Sequence, residues 1–259
     1  MSGAETHRIQ MGADAWIVVD WIPPRWGHAT AVFVHGMGSH RRGDKALHFA
    51  DRFAARGWGF LAPDLRGHGE SHGAIRDMTF SGLLADLECV MEWASGRTGG
   101  EKSPILLIGS SMGGALAAWH TVCHPGRVSG VVMIAPTLSF PQILTAKLTH
   151  EEIAAWRREG SRRITSRWID LELGYGLVED ARKYEPQRLV RDYTAPTLIF
   201  HGMADDAVPW QGSLDFVQAN GLPQIDLMLF KGGEHRLTAQ KERLFDCAIS
   251  WWEVLGRSD

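Results

Sequence analysis

Gly109-Ser110-Ser111-Met112-Gly113 lies between an apolar run, Ile105-Leu106-Leu107-Ile108, and a helical pattern, Ala115-Leu116-Ala117-Ala118-Trp119. No other stretch constrains the fold as much, because G-x-S-x-G carries meaning only where a strand turns sharply into a helix. Glycines two before and two after the serine let strand and helix pack with no side chain between them. The pattern then lifts the Ser111 hydroxyl above the edge of a sheet. A plain Gly-Ser turn has the same letters, so the reading depends on what lies downstream.

A serine hydroxyl is a poor nucleophile at neutral pH. It needs an imidazole base, which in turn needs a carboxylate to fix its tautomer. Behind a serine elbow the expected chain order is Ser, Asp or Glu, His. A strand-like run, Pro196-Thr197-Leu198-Ile199-Phe200, leads into His201-Gly202-Met203-Ala204-Asp205-Asp206-Ala207-Val208-Pro209. A second run, Ile225 to Phe230, leads into Lys231-Gly232-Gly233-Glu234-His235. An acid after one strand and a histidine after the next is the arrangement required. Ser111 is therefore the candidate nucleophile, since Ser110 lacks glycines at both second positions, and His235 is the candidate base. The run H-G-x-x-D-x-x-V-P puts the acid at Asp205, with Asp206 as the alternative. His120, His124 and His201 take structural readings, on the helix after the elbow and at a strand end. No His, Cys or carboxylate group has metal-ligand spacing, so no metal is expected.

Two backbone amides must receive the developing oxyanion. One is expected from Met112, the residue after the nucleophile. The other is expected from Met37, where the buried strand Ala31-Val32-Phe33-Val34 runs into the turn His35-Gly36-Met37-Gly38.

These pieces run from Met37 to His235, so the 259 residues are read as one domain rather than two. A net charge of −3 gives no case for nucleic acid as a partner. No run of about 18 apolar residues implies a membrane span. Three cysteines, Cys89, Cys123 and Cys247, are odd in number and lie in helix-like segments, which suggests buried thiols. Met1 to Met11 contains no apolar leader stretch, so the cytoplasm is the expected compartment. Nothing in the sequence indicates the oligomeric state.

Strand and helix patterns alternate. An opening hairpin is expected around Gly12-Ala13-Asp14, then strands near 30–35, 58–63, 104–109, 128–134, 196–201 and 225–230. Helices are expected near 43–56, 79–96, after the elbow, and near 237–255. Continuous apolar strands between amphipathic helices predict a mostly parallel eight-stranded sheet covered on both faces. From Pro136 to about Tyr193 the alternation stops and no strand is read. The sequence divides accordingly into a core, 1–135 and 194–259, and an inserted helical cap, 136–193. The first cap helix is well marked, with a Thr149/Glu152 capping box, a Leu148/Ile153 staple and a stop at Gly160. Further helices are expected near 162–173 and 177–184. Arg157, Arg158, Arg162, Arg163 and Arg167 are opposed nearby only by Glu159. They read as a solvated lid face or, at Arg162 and Arg163, as contacts for an anionic substrate such as an acyl-CoA or acyl-glucuronide. Trp210, closing the Asp205 run, is a further candidate for substrate contact.

Gly109 to Gly114, His201 to Trp210 and Glu234-His235-Arg236 together resemble an α/β-hydrolase-fold serine hydrolase. Within that superfamily they resemble the family of the palmitoyl-protein thioesterase also described as mycophenolic acid acyl-glucuronide esterase. The resemblance implies hydrolysis of carboxylic esters or thioesters with no cofactor. It carries Ser111 over as nucleophile, Asp205 as acid and His235 as base. The His35-Gly36-Met37-Gly38 loop is more similar to general esterases and monoacylglycerol lipases. A serine at the elbow argues against dehalogenases and epoxide hydrolases, which need a carboxylate there. It permits lipases, C–C bond hydrolases, perhydrolases and amidases. A prolyl-type aminopeptidase is disfavoured because no aromatic residue follows the serine. A non-catalytic small-molecule receptor on the same scaffold is the alternative from another class.

Overall fold

The structure is a computed structural model that describes residues 3–25, 28–98 and 103–255. The first two and last four residues assigned to the core lie outside the described residues. Its main sheet has eight strands: β1 (Glu5–Gln10), β2 (Trp16–Ile22), β3 (Thr30–Val34), β4 (Gly59–Asp64), β5 (Ile105–Ser110), β6 (Gly130–Ile134), β9 (Thr197–Gly202) and β10 (Ile225–Phe230). Their spatial order is β1-β2-β4-β3-β5-β6-β9-β10. β2 pairs antiparallel with both β1 and β4, and every other pairing is parallel. The expected opening hairpin and parallel core are both present. β3, β4, β5, β6 and β9 are buried along their whole length, which is why their sequences are apolar on both faces.

Helices cover the two faces. α1 (Asp44–Ala55) and α9 (Lys241–Leu255) lie on one, where Phe49, Phe53, Phe60 and Phe245 form an aromatic cluster. α2 (Phe80–Ser95) and α3 (Met112–Cys123) lie on the other, burying Leu83, Leu87, Val90, Leu116 and Trp119. α8 (Gln211–Ala219) joins that face through Phe216.

Register positions the site. Val34 stands beside Gly109, Ser110 beside Ile134, Ile134 beside Phe200, and Gly202 beside Phe230. The loops after β3, β5, β9 and β10 therefore leave the sheet at one carboxyl edge, where sites of parallel α/β sheets form.

The inserted segment departs from the expected all-helical cap. It comprises α4 (Phe140–Thr145), α5 (His150–Glu159), a hairpin of β7 (Ser161–Thr165) and β8 (Asp170–Gly174), α6 (Tyr175–Ala181) and α7 (Pro186–Asp192). α5 has the expected capping box, and Gly160 closes it at φ 80°. The helix expected near 162–173 is instead the antiparallel hairpin, which pairs Arg163 with Glu172 and Ile164 with Leu171. The alternation of Asp170 and Glu172 with Leu171 and Leu173 has a period of two, and only its Leu173 end is buried. The Trp156 indole N–H donates to the Leu173 carbonyl at 2.9 Å and fastens α5 to this hairpin. Among the described residues, no helix is long and apolar enough to cross a membrane.

Candidate active site

Ser111 is held at φ 55° and ψ −115°, a conformation that costs a non-glycine residue energy. Its own amide donates to the Ile134 carbonyl at 2.8 Å, pinning the elbow to β6. The flanking glycines are sterically required. A Cβ on Gly109 would stand 2.2 Å from the Gly113 carbonyl oxygen, and one on Gly113 would stand 2.2 Å from that of Val34. Ser110 ends β5, as expected.

The hydroxyl lies 3.0 Å from His235 Nε2, and His235 Nδ1 lies 2.7 Å from Asp205 Oδ2. The structure thus brings together the three side chains singled out in the sequence, from the ends of β5, β9 and β10. Asp205 Oδ1 accepts the Ala207 and Val208 amides, each at 2.8 Å. Burial of this carboxylate raises its pKa, but the hydrogen bonds to His201 and His235 and the His235 charge outweigh that and keep it ionised below the usual carboxylate range. Asp206 points elsewhere, accepting the Trp168 indole N–H at 2.8 Å and pairing with Arg167 at 3.2 Å.

His201 is a functional residue that the sequence reading passed over as a strand end. Its Nδ1 lies 2.8 Å from Ser213 Oγ, while Nε2 lies 3.2 Å from Asp205 Oδ2 and 3.1 Å from the Val208 carbonyl. Those partners assign the proton to Nε2, so the ring donates to Asp205 and braces its carboxylate. The four-residue spacing to Asp205 is no signal by itself, because the contact forms only once the loop after β9 folds back.

The β3 loop comes close to the elbow. A Cβ on Gly36 would lie 3.2 Å from Ser111 Cβ and 3.8 Å from its hydroxyl oxygen. Among the described residues, no partner takes the Met37 or Met112 amide, and both residues line the cavity above Ser111. Two buried imidazoles hold this loop. His68 Nε2 accepts the Gly38 amide at 3.0 Å, and His35 Nε2 accepts the Leu65 amide at 3.1 Å. Their Nδ1 atoms face the Arg66 and Gly36 carbonyls, so each ring is neutral with its proton on Nδ1. Burial, reinforced by the neighbouring His68 ring, pushes His35 down to about 3.

The cavity measures about 800 Å³. Ser111 and His235 share its lining with Met37, Phe140, Ile143, Leu144, Ile164 and Trp168. Arg162 and Arg163 also line it, but their charge is already engaged. Arg162 bonds Glu152 at 2.7 Å, and Arg163 bonds Asp170 at 2.7 and 2.5 Å. Arg157, Arg158 and Arg167 likewise meet Glu179, Glu159 and the Asp206/Glu234 pair. The expectation of arginines opposed only by Glu159 is thus corrected, because folding brings in other carboxylates, from Asp170, 7 positions from Arg163, to Glu234, 67 positions from Arg167. Trp210, at the start of α8, is not among the cavity-lining residues. Outside this cavity, the fold forms one candidate metal-ligand grouping among the described residues that the sequence spacing did not disclose. Glu88, His120 and His124 place one donor atom each within 4.8 Å of one another, because α2 packs on α3.

Comparison with known proteins agrees with this geometry. A palmitoyl-protein thioesterase, the mitochondrial ABHD10 of Mus musculus, is 25% identical over 222 residues, covering 84% of this chain and 73% of the relative. A monoacylglycerol lipase of Mycolicibacterium smegmatis is 25% identical over 267 residues, covering 91% and 92%. A solved structure named as a hydrolase from Agrobacterium vitis S4 superposes with a TM-score of 0.83 at 29% identity, covering 96% of this chain and 98% of that one. Residues 27–170, more than half of the chain, match the family described as serine aminopeptidase, S33 (Hydrolase_4), and the chain belongs to this α/β-hydrolase family.

Proposed function

We propose that the protein is a serine hydrolase that cleaves carboxylic esters or thioesters through an acyl-enzyme, with an apolar acyl group lodged beneath the cap. The observation that carries this reading is the unbroken line Ser111–His235–Asp205 opening onto the large cavity. Phe140, Ile143, Leu144 and Ile164 offer an acyl chain apolar wall. The names of the thioesterase and lipase relatives support the same class of substrate.

In this mechanism His235 takes the Ser111 proton as Oγ attacks the carbonyl carbon. The imidazolium is stabilised by Asp205, which His201 and the 207–208 amides hold in place. The Met37 and Met112 amides receive the negative charge on the carbonyl oxygen, each such donor contributing on the order of 10²–10³ in rate. His235 then protonates the departing alcohol or thiol, and water deacylates the enzyme by the reverse route. Asp205 acts by charge and orientation and does not itself accept the proton.

The test is covalent labelling by a fluorophosphonate, followed by turnover of p-nitrophenyl esters and acyl thioesters of increasing chain length. One label per chain is expected, absent in Ser111→Ala, with turnover lowered by roughly 10⁴–10⁶ in that variant while the fold survives. An unlabelled parent protein that turns over no ester or thioester would leave the receptor reading in its place.

A further inference from the structure

We infer that Glu88, His120 and His124 form a binding site for a divalent transition-metal ion of the zinc class, fastening α2 to the C-terminal end of α3. His120 lies in the last turn of α3, and His124, four residues on, is its C-cap, with its amide donating to the His120 carbonyl at 2.8 Å. Their rings stack at 4.8 Å and 28°. Glu88 comes from α2 and presents Oε2 between them, 2.7 Å from His120 Nε2 and 3.4 Å from His124 Nε2.

Two imidazoles and one carboxylate suit zinc, nickel, cobalt or copper rather than magnesium or calcium, which prefer all-oxygen sites. An ion bonded to each at about 2.0–2.2 Å needs the donor atoms somewhat farther apart than the present Glu88–His120 contact. His120 is buried, so that widening falls to the partly exposed Glu88 side chain. The exposed side also admits water as a further ligand. His120 is 1% exposed, already aimed at the cluster through Nε2, and its Nδ1 has no partner among the described residues. Coordination at Nε2 would place the ring proton on that Nδ1 without an acceptor, which limits affinity.

Two electrostatic features act on the ion in opposite senses. The last turn of α3 carries the partial negative charge of a helix C-terminus, which favours a cation there. Arg127 approaches Glu88 Oε1 at 3.4 Å and opposes the ion, but it leaves Oε2 to the imidazoles. His120 lies nine positions beyond Ser111, about 13 Å along the helix axis. The ion would therefore clamp the nucleophile's helix rather than join the ester chemistry.

The test uses the tag-free full chain after chelator treatment, titrated with Co²⁺ by visible absorption and with Zn²⁺ by calorimetry. One site per chain is expected, with Zn²⁺ raising the melting temperature of the parent. His124→Ala and Glu88→Gln should each weaken binding at least about tenfold and remove the thermal shift. Both variants should turn over ester as the parent does in metal-free buffer, which shows that they are folded. Absence of saturable binding by the parent below about 100 μM, or equal affinity in parent and both variants, would overturn the assignment.

Discussion

Trp168, at the tip of the cap hairpin, donates its indole N–H to Asp206 at 2.8 Å while its ring lies 5.9 Å from that of His235. One side chain thus touches the loop carrying the acid and the loop carrying the base. Arg236, next to His235, donates to the Trp168 carbonyl at 2.9 Å, and Arg167 reaches Asp206 and Glu234 at 3.2 and 3.3 Å. The hairpin also meets the loop after β3, because a Cβ on Gly38 would stand 3.0 Å from Leu171 Cδ1. The hairpin is therefore fastened to the loops on both sides of Ser111.

Trp168→Ala removes the indole bond and the ring beside His235. We expect kcat/KM for an apolar ester to fall by about tenfold, with fluorophosphonate labelling of Ser111 retained but slower. Trp168→Phe keeps a ring without the N–H and should fall between the two. Steady-state kinetics on one ester series decide it; an unchanged kcat/KM in Trp168→Ala would show that the hairpin tip has no part in positioning.

Asp205 and Asp206 are adjacent but differ in surroundings: the Asp205 side chain is fully buried and Asp206 is exposed. Asp205→Asn loses the charge facing His235 and should lower kcat by about 10³–10⁴. Asp206→Asn leaves that partnership intact and should cost less than about tenfold, through the Trp168 and Arg167 contacts. The reverse ranking would move the acid one position along the chain.

The neutral rings of His35 and His68 make the fold sensitive to acid. His35 titrates at about 3 in the fold against about 6.5 when unfolded, and burial lowers His68 in the same direction. Between those values the unfolded chain binds protons that the folded chain refuses. Stability therefore rises with pH across this window, and acidification removes up to about 1.4 kcal/mol per pH unit through His35. The lowered Asp205 pKa acts with the same sign at lower pH, its contribution being lost below the ordinary carboxylate range. Urea midpoints from pH 7 to 4 should fall for the parent. His68→Gln still offers the Gly38 amide an oxygen without a titrating ring, so its midpoint should fall less steeply. Superimposable curves would mean that His68 titrates normally.

The elbow, acid and base were legible because chemistry demands those residue types at the ends of particular strands. Gly109 and Gly113 could be read from the pattern alone, and the contacts at their Cα atoms show why no other residue fits. His201 was not legible, since a strand-ending histidine becomes a brace only once the following loop folds Asp205 back onto it. The hairpin escaped because five-residue strands carry too few alternations to compete with helix-compatible arginines and glutamates. Ion pairs such as Arg167 with Glu234, 67 positions apart, and the Glu88–His120 contact, 32 apart, exist only in three dimensions.

That pairing changes what Arg162 and Arg163 are expected to do. A cation recognises an anionic substrate strongly when it is not already neutralised. Arg162 is bonded to Glu152, and Arg163 is bonded to Asp170, whose pKa these bonds lower to about 2. Charge reversal at either position sets like charges together within the cap, at Glu152 beside α5 or at Asp170 on β8. The resulting distortion acts on any substrate. We expect KM to rise by a similar factor, about two- to fivefold, for a neutral ester and for a carboxylate-bearing ester of equal size. KM values measured for Arg162→Glu and Arg163→Glu on that matched pair settle the matter. A rise confined to the carboxylate-bearing ester would show that the bound anion displaces Glu152 or Asp170, and that the cap arginines select substrate by charge.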